Sequence, residues 1–447
     1  MTRNPRDPTP LVQDTPYGLD PSTIKAVYGF STDTKAGSGK TIAIVDAFHS
    51  PTAKADLDVF NSTYGLPTFP SCGGTVTTTC FEQVDQSGGT TYPAVDGGWG
   101  LEIALDVQWA HAIAPGAKIL LVEATDNSFT NLLAAEDYAA AHADYVSNSW
   151  GAGEFIGESS YDSHFVHGTV SFFVSAGDNG TPAEYPSASP NVISVGGTRL
   201  NNIGSTNFSE TGWTDGGGGC SRWESATAAQ RNFSQYGQTG CKGTRATPDV
   251  ALDADPASGV SVYDSTPYNG TTGWYRVGGT SASAPMWAAR SAVEGVQVNS
   301  TYVYGRAPST FRDITVGNNG AACKVGFDLC SGRGSWLDPG ASGGTTTTSS
   351  STTTSSSTST TAPSSTTTTA PTSNGTVNLS AGAKSKGVTS VTVSWSGFTA
   401  PVTVTRGSLS DTGLNGSGTL TDTWRGSGTV TYTVCGSDGC SSKSITI

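Results

Sequence analysis

One octet constrains the chain more than any other stretch: Gly278-Gly279-Thr280-Ser281-Ala282-Ser283-Ala284-Pro285. An apolar run ending Tyr275-Arg276-Val277 precedes it, and Met286-Trp287-Ala288-Ala289-Arg290 follows. The octet therefore reads as a glycine-rich turn from a strand into a helix. A serine on such a turn exposes its hydroxyl at a helix N-terminus, where free N–H groups and the helix dipole favour negative charge. That makes Ser281 a candidate nucleophile, provided a base lies near it. The same residues also suit an ordinary Ser/Thr helix cap. The base decides between the two.

Two sets of residues compete for that role. Asp46 ends the apolar run Thr41-Ile42-Ala43-Ile44-Val45, and His167-Gly168-Thr169-Val170 offers an imidazole. Alternatively, a helical pattern from Leu101 to Ala112, stopped by Pro115-Gly116, carries Glu102 and Asp106. Four residues apart, these two lie on one helix face. Like charges that close resist double ionisation and can share a proton, so one carboxylate can take the serine proton while the other polarises it. Such a pair replaces imidazole with a base that works in acid. The competing reading of Glu102 and Asp106 is a solvated helix face.

In chain order, residues 1–20 are a Pro-rich lead-in, and Pro21 to Tyr28 predict a short helix capped near Asp20. A helix is expected over 52–62 and a loop-rich insertion over 66–96. Apolar runs at 41–45, 119–122, 145–149, 170–174 and 192–195 alternate with helical patterns, including 131–142. Alternation of this kind predicts βαβ units: an α/β fold with a mostly parallel sheet covered on both faces. Residues 344–373 are nearly all Thr, Ser, Ala and Pro, an extended linker open to O-glycosylation. Beyond it, Val391 to Trp395, Val402 to Val404 and Val430 to Val434 alternate as short strands, which predicts a small β-sandwich over 374–447.

Several segments now resemble one family in its own order: Trp99-Gly100-Leu101-Glu102 through Asp106, Ala112-Ile113-Ala114-Pro115-Gly116-Ala117, Ser147-Asn148-Ser149-Trp150-Gly151, Ser175-Ala176-Gly177-Asp178-Asn179-Gly180, Pro248-Asp249-Val250 through Ala254-Asp255-Pro256, and Val277 to Pro285. Together they resemble the sedolisin (serine-carboxyl) peptidases, over roughly residues 20–340. The resemblance implies a subtilisin-like fold over 21–343 and an endopeptidase acting in acid. It implies Ser281 as nucleophile, Glu102 and Asp106 as the proton-sharing pair, and Asp178 as a protonated donor to the oxyanion. In a subtilisin, by contrast, Asp46 and a histidine would serve. His167 stands only eleven residues before Asp178, too late in the chain for that role.

The resemblance also implies a calcium site. Phe311-Arg312-Asp313-Ile314-Thr315 through Asn318-Asn319-Gly320, then Gly326-Phe327-Asp328, match the family's calcium segment. Asp313 and Asp328 would give carboxylates, and Ile314, Lys324 and Gly326 backbone carbonyls. The family usually has glycine where Lys324 stands, a departure that a carbonyl ligand tolerates. Sedolisins further use a large pro-region as a folding partner; its absence here suggests the mature form.

Composition bounds the setting. A net charge of −13 argues against nucleic-acid and anionic-membrane partners. Charged residues are only 13% of the chain, about half the usual quarter. The eight cysteines fall into close pairs, Cys72/Cys80, Cys220/Cys241, Cys323/Cys330 and Cys435/Cys440, which predicts local disulfides and a secreted, extracellular protein. No apolar run is long enough to span a membrane, and no signal peptide is visible. The expected partners are protein or peptide substrates, with the C-terminal module free to bind a surface or polymer. Two other readings remain at this point: a degenerate peptidase scaffold acting as a secreted binding protein, and a neutral protease built on Asp46 and His167.

Overall fold

The computed structural model describes residues 11–13, 15–338 and, further on, 376–381, 388–399, 402–406, 409–414, 417–425, 429–436 and 439–446. The expected linker at 344–373 lies outside these, as do residues 1–10. The chain divides into two compact units, Met1–Thr347 and Thr348–Ile447.

The first unit is built on a ten-stranded sheet. Its strands are β1 (Thr41–Ala47), β2 (Phe81–Asp85), β3 (Lys118–Ala124), β4 (Tyr145–Asn148), β5 (Ser171–Ser175), β6 (Ile193–Asn201), β7 (Ser209–Gly212), β8 (Val250–Asp253), β9 (Phe311–Arg312) and β10 (Ser335–Trp336). Their spatial order is β9-β10-β8-β6-β5-β4-β1-β3-β2, with β7 beside β6. Pairing is parallel except for β7 on β6 and β9 on β10. The apolar runs are continuous because both faces are covered. Ile42 and Ile44 of β1 join one core with Ile119 and Leu121, while Ala43 and Val45 join a second with Leu120 and Val122.

Helices α1 (Gly97–Ile113) and α3 (Thr280–Glu294) pack together on the first face, and α2 (Phe129–His142) covers the second. Helix α1 starts with Gly-Gly-Trp-Gly, poor helix formers. Asp96 compensates by capping the Gly98 and Trp99 amides at 2.9 and 3.0 Å. The glycines are there because the hairpin Val260–Tyr268/Thr271–Val277 passes against this end. A Cβ on Gly97 would meet the Pro267 carbonyl oxygen at 2.0 Å. Gln108 then clamps the hairpin, donating to the Tyr263 carbonyl at 2.7 Å and accepting from its N–H at 3.0 Å. These contacts fix the rotation of α1, and hence where Glu102 and Asp106 point.

One expectation is corrected. The 66–96 insertion holds strand β2, which joins the sheet at its edge beside β3. Only Phe81 and Val84 of Phe81-Glu82-Gln83-Val84-Asp85 are buried, so the strand carries no clean alternation to read. All four cysteine pairs form the disulfides that their spacing predicts.

The second unit has seven antiparallel strands among its described residues. Thr376–Ala381, Val388–Ser396 and Gly418–Arg425 form one sheet. Leu409–Leu414, Val402–Arg406, Thr429–Gly436 and Gly439–Thr446 form the other. Val377, Val391, Val393 and Trp395 of the first share one core with Val402, Val404, Tyr432 and Val434 of the second, a small β-sandwich.

Candidate functional site

Parallel strands gather their carboxyl ends along one edge, and the point where strand order switches is where such sheets place sites. Here β1 is that point: the chain steps outward from it to β2 and β3, then crosses to β4 on its other side. Asp46 stands near the end of β1, Ser149 follows β4, and Gly177 and Asp178 follow β5. The N-terminus of α3 comes to the same edge.

Alternation along β1 carries Ile42 and Ile44 toward α1, and Asp46 takes the next place on that face. It is fully buried, and neither of its carboxyl oxygens has a hydrogen-bond partner. Burial first, then Glu102, then Glu123 push its carboxyl well above the usual carboxylate range. Asp106 is likewise fully buried. Burial, then Asp46, then Glu102 raise it strongly; the Ser149 hydroxyl, donating to Oδ2 at 2.6 Å, opposes this. Three carboxyl groups thus meet in a space that cannot hold three negative charges, and the cluster keeps protons. The solvated-face reading of Glu102 and Asp106 fails, because α1 is buried nearly all round.

Ser281 is not a helix cap. The cap of α3 is Gly279, without a side-chain hydrogen bond, and Ser281 is the second helical residue. Gly279 adopts φ 107°, where side chains are strained, and a Cβ there would lie 2.8 Å from Asp178 Oδ2. Asp178 serves the helix from outside: its Oδ1 accepts from the Thr280 N–H at 2.7 Å and the Thr280 hydroxyl at 2.9 Å. Pro285 has no N–H to return to the Ser281 carbonyl one turn earlier. The Ser149 hydroxyl lies 3.4 Å from that carbonyl, so one side chain touches both Asp106 and the backbone of Ser281.

The structure therefore gathers Glu102, Asp106, Asp178 and Ser281 at one edge and adds Asp46. His167 is not among them. It is exposed in the turn before β5, a five-residue strand roughly 16 Å long that separates it from Asp178 at the other end. His111, on α1, is buried against Phe69, with burial holding its pKa down to about 3. Sequence reasoning missed Ser149 as a contact of Asp106, and missed Glu123 and His49 altogether. Glu123 was visible as a lone charge closing the apolar run Ile119 to Val122.

In the expected calcium segment, Asp313 accepts from the Gly326 N–H at 2.9 and 3.1 Å. Asp328 accepts from the N–H groups of Lys324, Cys330 and Ser331. Lys324 is exposed and Ile314 buried. Both carboxylates are thus taken up by backbone N–H groups of the loop that carries Cys323–Cys330, and among the described residues no group of three or more acidic, His or Cys side chains is placed to hold a metal ion.

The subtilase family model (peptidase S8) matches residues 97–316. Kumamolisin of Bacillus sp. (strain MN-32) is 33% identical over 295 residues, 56% of this chain and 52% of that protein. Sedolisin of Pseudomonas sp. (strain 101) is 31% identical over 203 residues, 37% of this chain and 33% of that protein. The chain thus spans about half the length, or less, of these curated relatives. A solved structure of Pseudomonas sedolisin, a serine-carboxyl proteinase complexed with two molecules of pseudo-iodotyrostatin, superposes with a TM-score of 0.61 at 25% identity, covering 72% of this chain and 96% of that one. With the sequence motifs in order and the fold matched across nearly the whole of that structure, the first unit of this chain has a subtilisin-like fold and is similar in sequence and structure to the sedolisin peptidases.

Proposed function

We propose that the first unit is a serine-carboxyl endopeptidase that works in acid outside the cell. The observation that carries this reading is the buried carboxyl cluster of Asp46, Glu102 and Asp106, linked through Ser149 to the backbone of Ser281. Ser281 Oγ attacks the substrate carbonyl and passes its proton to Glu102, which shares protons with Asp106. The Ser281 N–H and a protonated Asp178 donate to the oxyanion. Collapse of the tetrahedral intermediate expels the amine and leaves an acyl-enzyme, which water hydrolyses by the reverse proton path. Asp178 must keep its proton to donate, and the cluster must keep one to share, so activity falls as pH rises toward neutral. It falls again at low pH, when the base itself is protonated, giving a bell.

The substrates on this reading are proteins or peptides. Calcium held by Asp313, Asp328 and the carbonyls of Ile314, Lys324 and Gly326 would stabilise that loop. A pro-region would assist folding, and the β-sandwich would tether the enzyme to a surface or polymer. The disulfides suit an oxidising compartment, and no helix among the described residues is long and apolar enough to cross a membrane.

The test is a pH–rate profile on acid-denatured protein, with Ser281→Ala and Glu102→Gln as controls. Each substitution should abolish turnover without altering the melting temperature by more than a few degrees. The double variant should be no worse than either single one, because the two act as a unit. A Glu102→Gln protein with near-normal turnover would defeat the carboxylate mechanism.

A further inference from the structure

Behind the cluster sits a second pair of titratable groups that the mechanism does not use. Asp46 and Glu123 are register partners on the adjacent parallel strands β1 and β3, so their side chains lie side by side on the face toward α1. Glu123 is fully buried. Its Oε1 accepts from the Ser50 N–H at 3.0 Å and from Gln83 Nε2 at 2.8 Å. Its Oε2 lies 2.7 Å from His49 Nδ1. The imidazole is the end of this chain that reaches water, with its side chain 14% exposed against none for Glu123. Tyr92 stacks on the His49 ring, 4.6 Å between centroids and 7° between planes, and its hydroxyl donates to the Gln83 carbonyl at 3.0 Å. The His49 N–H is tied to the Ala94 carbonyl at 3.0 Å. The pair is therefore held by Ser50 after β1, by Gln83 on β2 and by the segment leading to α1.

We propose that His49 and Glu123 are a positioning pair that sets how many protons the Asp46–Glu102–Asp106 cluster holds, and so where on the pH scale the enzyme works. The inference rests on the peptidase reading above for its consequence, though not for its geometry. Burial raises Glu123, but three donors on its two oxygens, the Ser50 N–H, Gln83 Nε2 and His49 Nδ1, oppose that and hold it as an acceptor. A carboxylate fixed beside Asp46 makes a second negative charge there costly, so Asp46 retains its proton. Burial and Glu102 push Asp46 up ahead of Glu123, and Glu123 adds to them from the other side. Glu123 itself is raised by burial and lowered by Ser50, His49 and Gln83. The other groups facing this pair are few. Tyr92 lies on the imidazole. Asp85 is the register neighbour of Glu123 on β2, but its carboxylate is turned to the amides of Ser87, Gly89 and Thr91.

The two members act on the cluster with opposite sign, which makes the test sharp. Glu123→Gln removes a negative charge and leaves the imidazole. Every proton on the cluster is then held less firmly, and both limbs of the kcat/KM profile should move toward acid by about half a pH unit or more. His49→Gln exchanges a ring that can take a proton for an amide that cannot, and leaves Glu123 held by Ser50 and Gln83, so the neutral-side limb should move the other way by a similar amount. Both substitutions keep hydrogen-bonding groups of comparable reach. Melting temperatures from about pH 3 to about pH 8 give a second readout that needs no activity: loss of stability with rising pH should flatten in Glu123→Gln and steepen in His49→Gln. Shifts of the same sign in both variants would overturn the proposal. So would profiles and melts that keep their pH dependence while only the rate falls. Should Glu123→Gln fail to fold, the sign of the His49→Gln shift decides alone. A parent without peptidase activity at any pH would sink the functional reading, while the melts would still judge the pair.

Discussion

Replacing Glu158 by glutamine should stabilise the protein at neutral pH and do nothing in acid. Glu158 opens the helical turn Glu158–Phe165 and is fully buried. Its Oε2 accepts from the Phe155 N–H at 2.7 Å, but no donor faces its Oε1. Beside it stands the carboxylate of Glu154, itself held by the Ser221 hydroxyl and by the Arg222 N–H at 3.0 Å. Two acceptors in contact make sense only with a proton between them, so Oε1 of Glu158 carries it and donates. Burial, then Glu154 working against the Phe155 N–H, push Glu158 from 4.5 to about 8. The same arrangement recurs alongside, where burial and then Asp162 push Glu224 to about 7.

The sign follows from which state binds the proton more tightly. Glu158 is raised in the fold, so its contribution is fully present below about 4.5 and is lost as pH climbs toward about 8. At pH 7 the nominal loss for one such group is ~3 kcal/mol at 1.36 kcal/mol per pH unit. Because Glu154 shares the charge and is more open to water, about 2 kcal/mol is the better expectation. Glutamine cannot ionise, keeps an oxygen for the Phe155 N–H, and donates to Glu154 at every pH. Thermal melts of parent and Glu158→Gln should coincide near pH 4. Near pH 7 they should separate by roughly 3–6 °C in favour of the variant, given a few degrees per kcal/mol for a unit of this size. An equal difference at both pH values, or a variant less stable at pH 7, would refute the shared-proton account.

Three further outcomes are expected. Asp178→Asn donates a hydrogen bond at any pH, so a folded variant should lose rate but lose less of it between mildly acidic and neutral pH than the parent; an unchanged profile shape would remove Asp178 from the oxyanion site. Chelation should lower the melting temperature while leaving the intrinsic rate of the folded enzyme alone, and Asp328→Ala should abolish that chelator effect; a melting temperature indifferent to EDTA at several pH values would mean no bound calcium. Cleavage within 344–373 should release two pieces that melt independently, with 1–343 retaining activity on soluble substrates; complete loss of that activity would make the C-terminal module part of the enzyme.

What could be read from the sequence, and what could not, follows from how each feature is encoded. Strands β1, β3, β4 and β5 are buried on both faces and appear as unbroken apolar runs, so their positions came through within a residue or two. The edge strand β2 has one face open and mixes Phe81 and Val84 with Glu82, Gln83 and Asp85. It has no period to detect, and only its hydrogen bonds to β3 reveal it. Of the four residues expected to carry the chemistry, Asp178 lies in a turn and Ser281 at a helix start, each with a local signature. The helix spacing of Glu102 and Asp106 is local in the same sense.

Asp46 marks the limit of that approach. In the sequence it is an acidic residue closing an apolar run, and a protease frame offers it as partner to a histidine. The fold shows why that pairing fails and what replaces it. His167 lies before the amino end of β5, and Asp46 near the carboxyl end of β1. In a parallel sheet those are opposite edges, whatever the motif around the histidine looks like. What Asp46 meets instead depends on register between β1 and β3 and on the rotation of α1, neither of which has a local code. Register sets Glu123 beside it. The Gln108 clamp and the glycines at the start of α1 turn Glu102 and Asp106 toward it. A carboxyl cluster assembled from three elements far apart in sequence is thus a property of the sheet and its packing. Its protonation, more than the identity of any one acid, is what the packing at this edge determines.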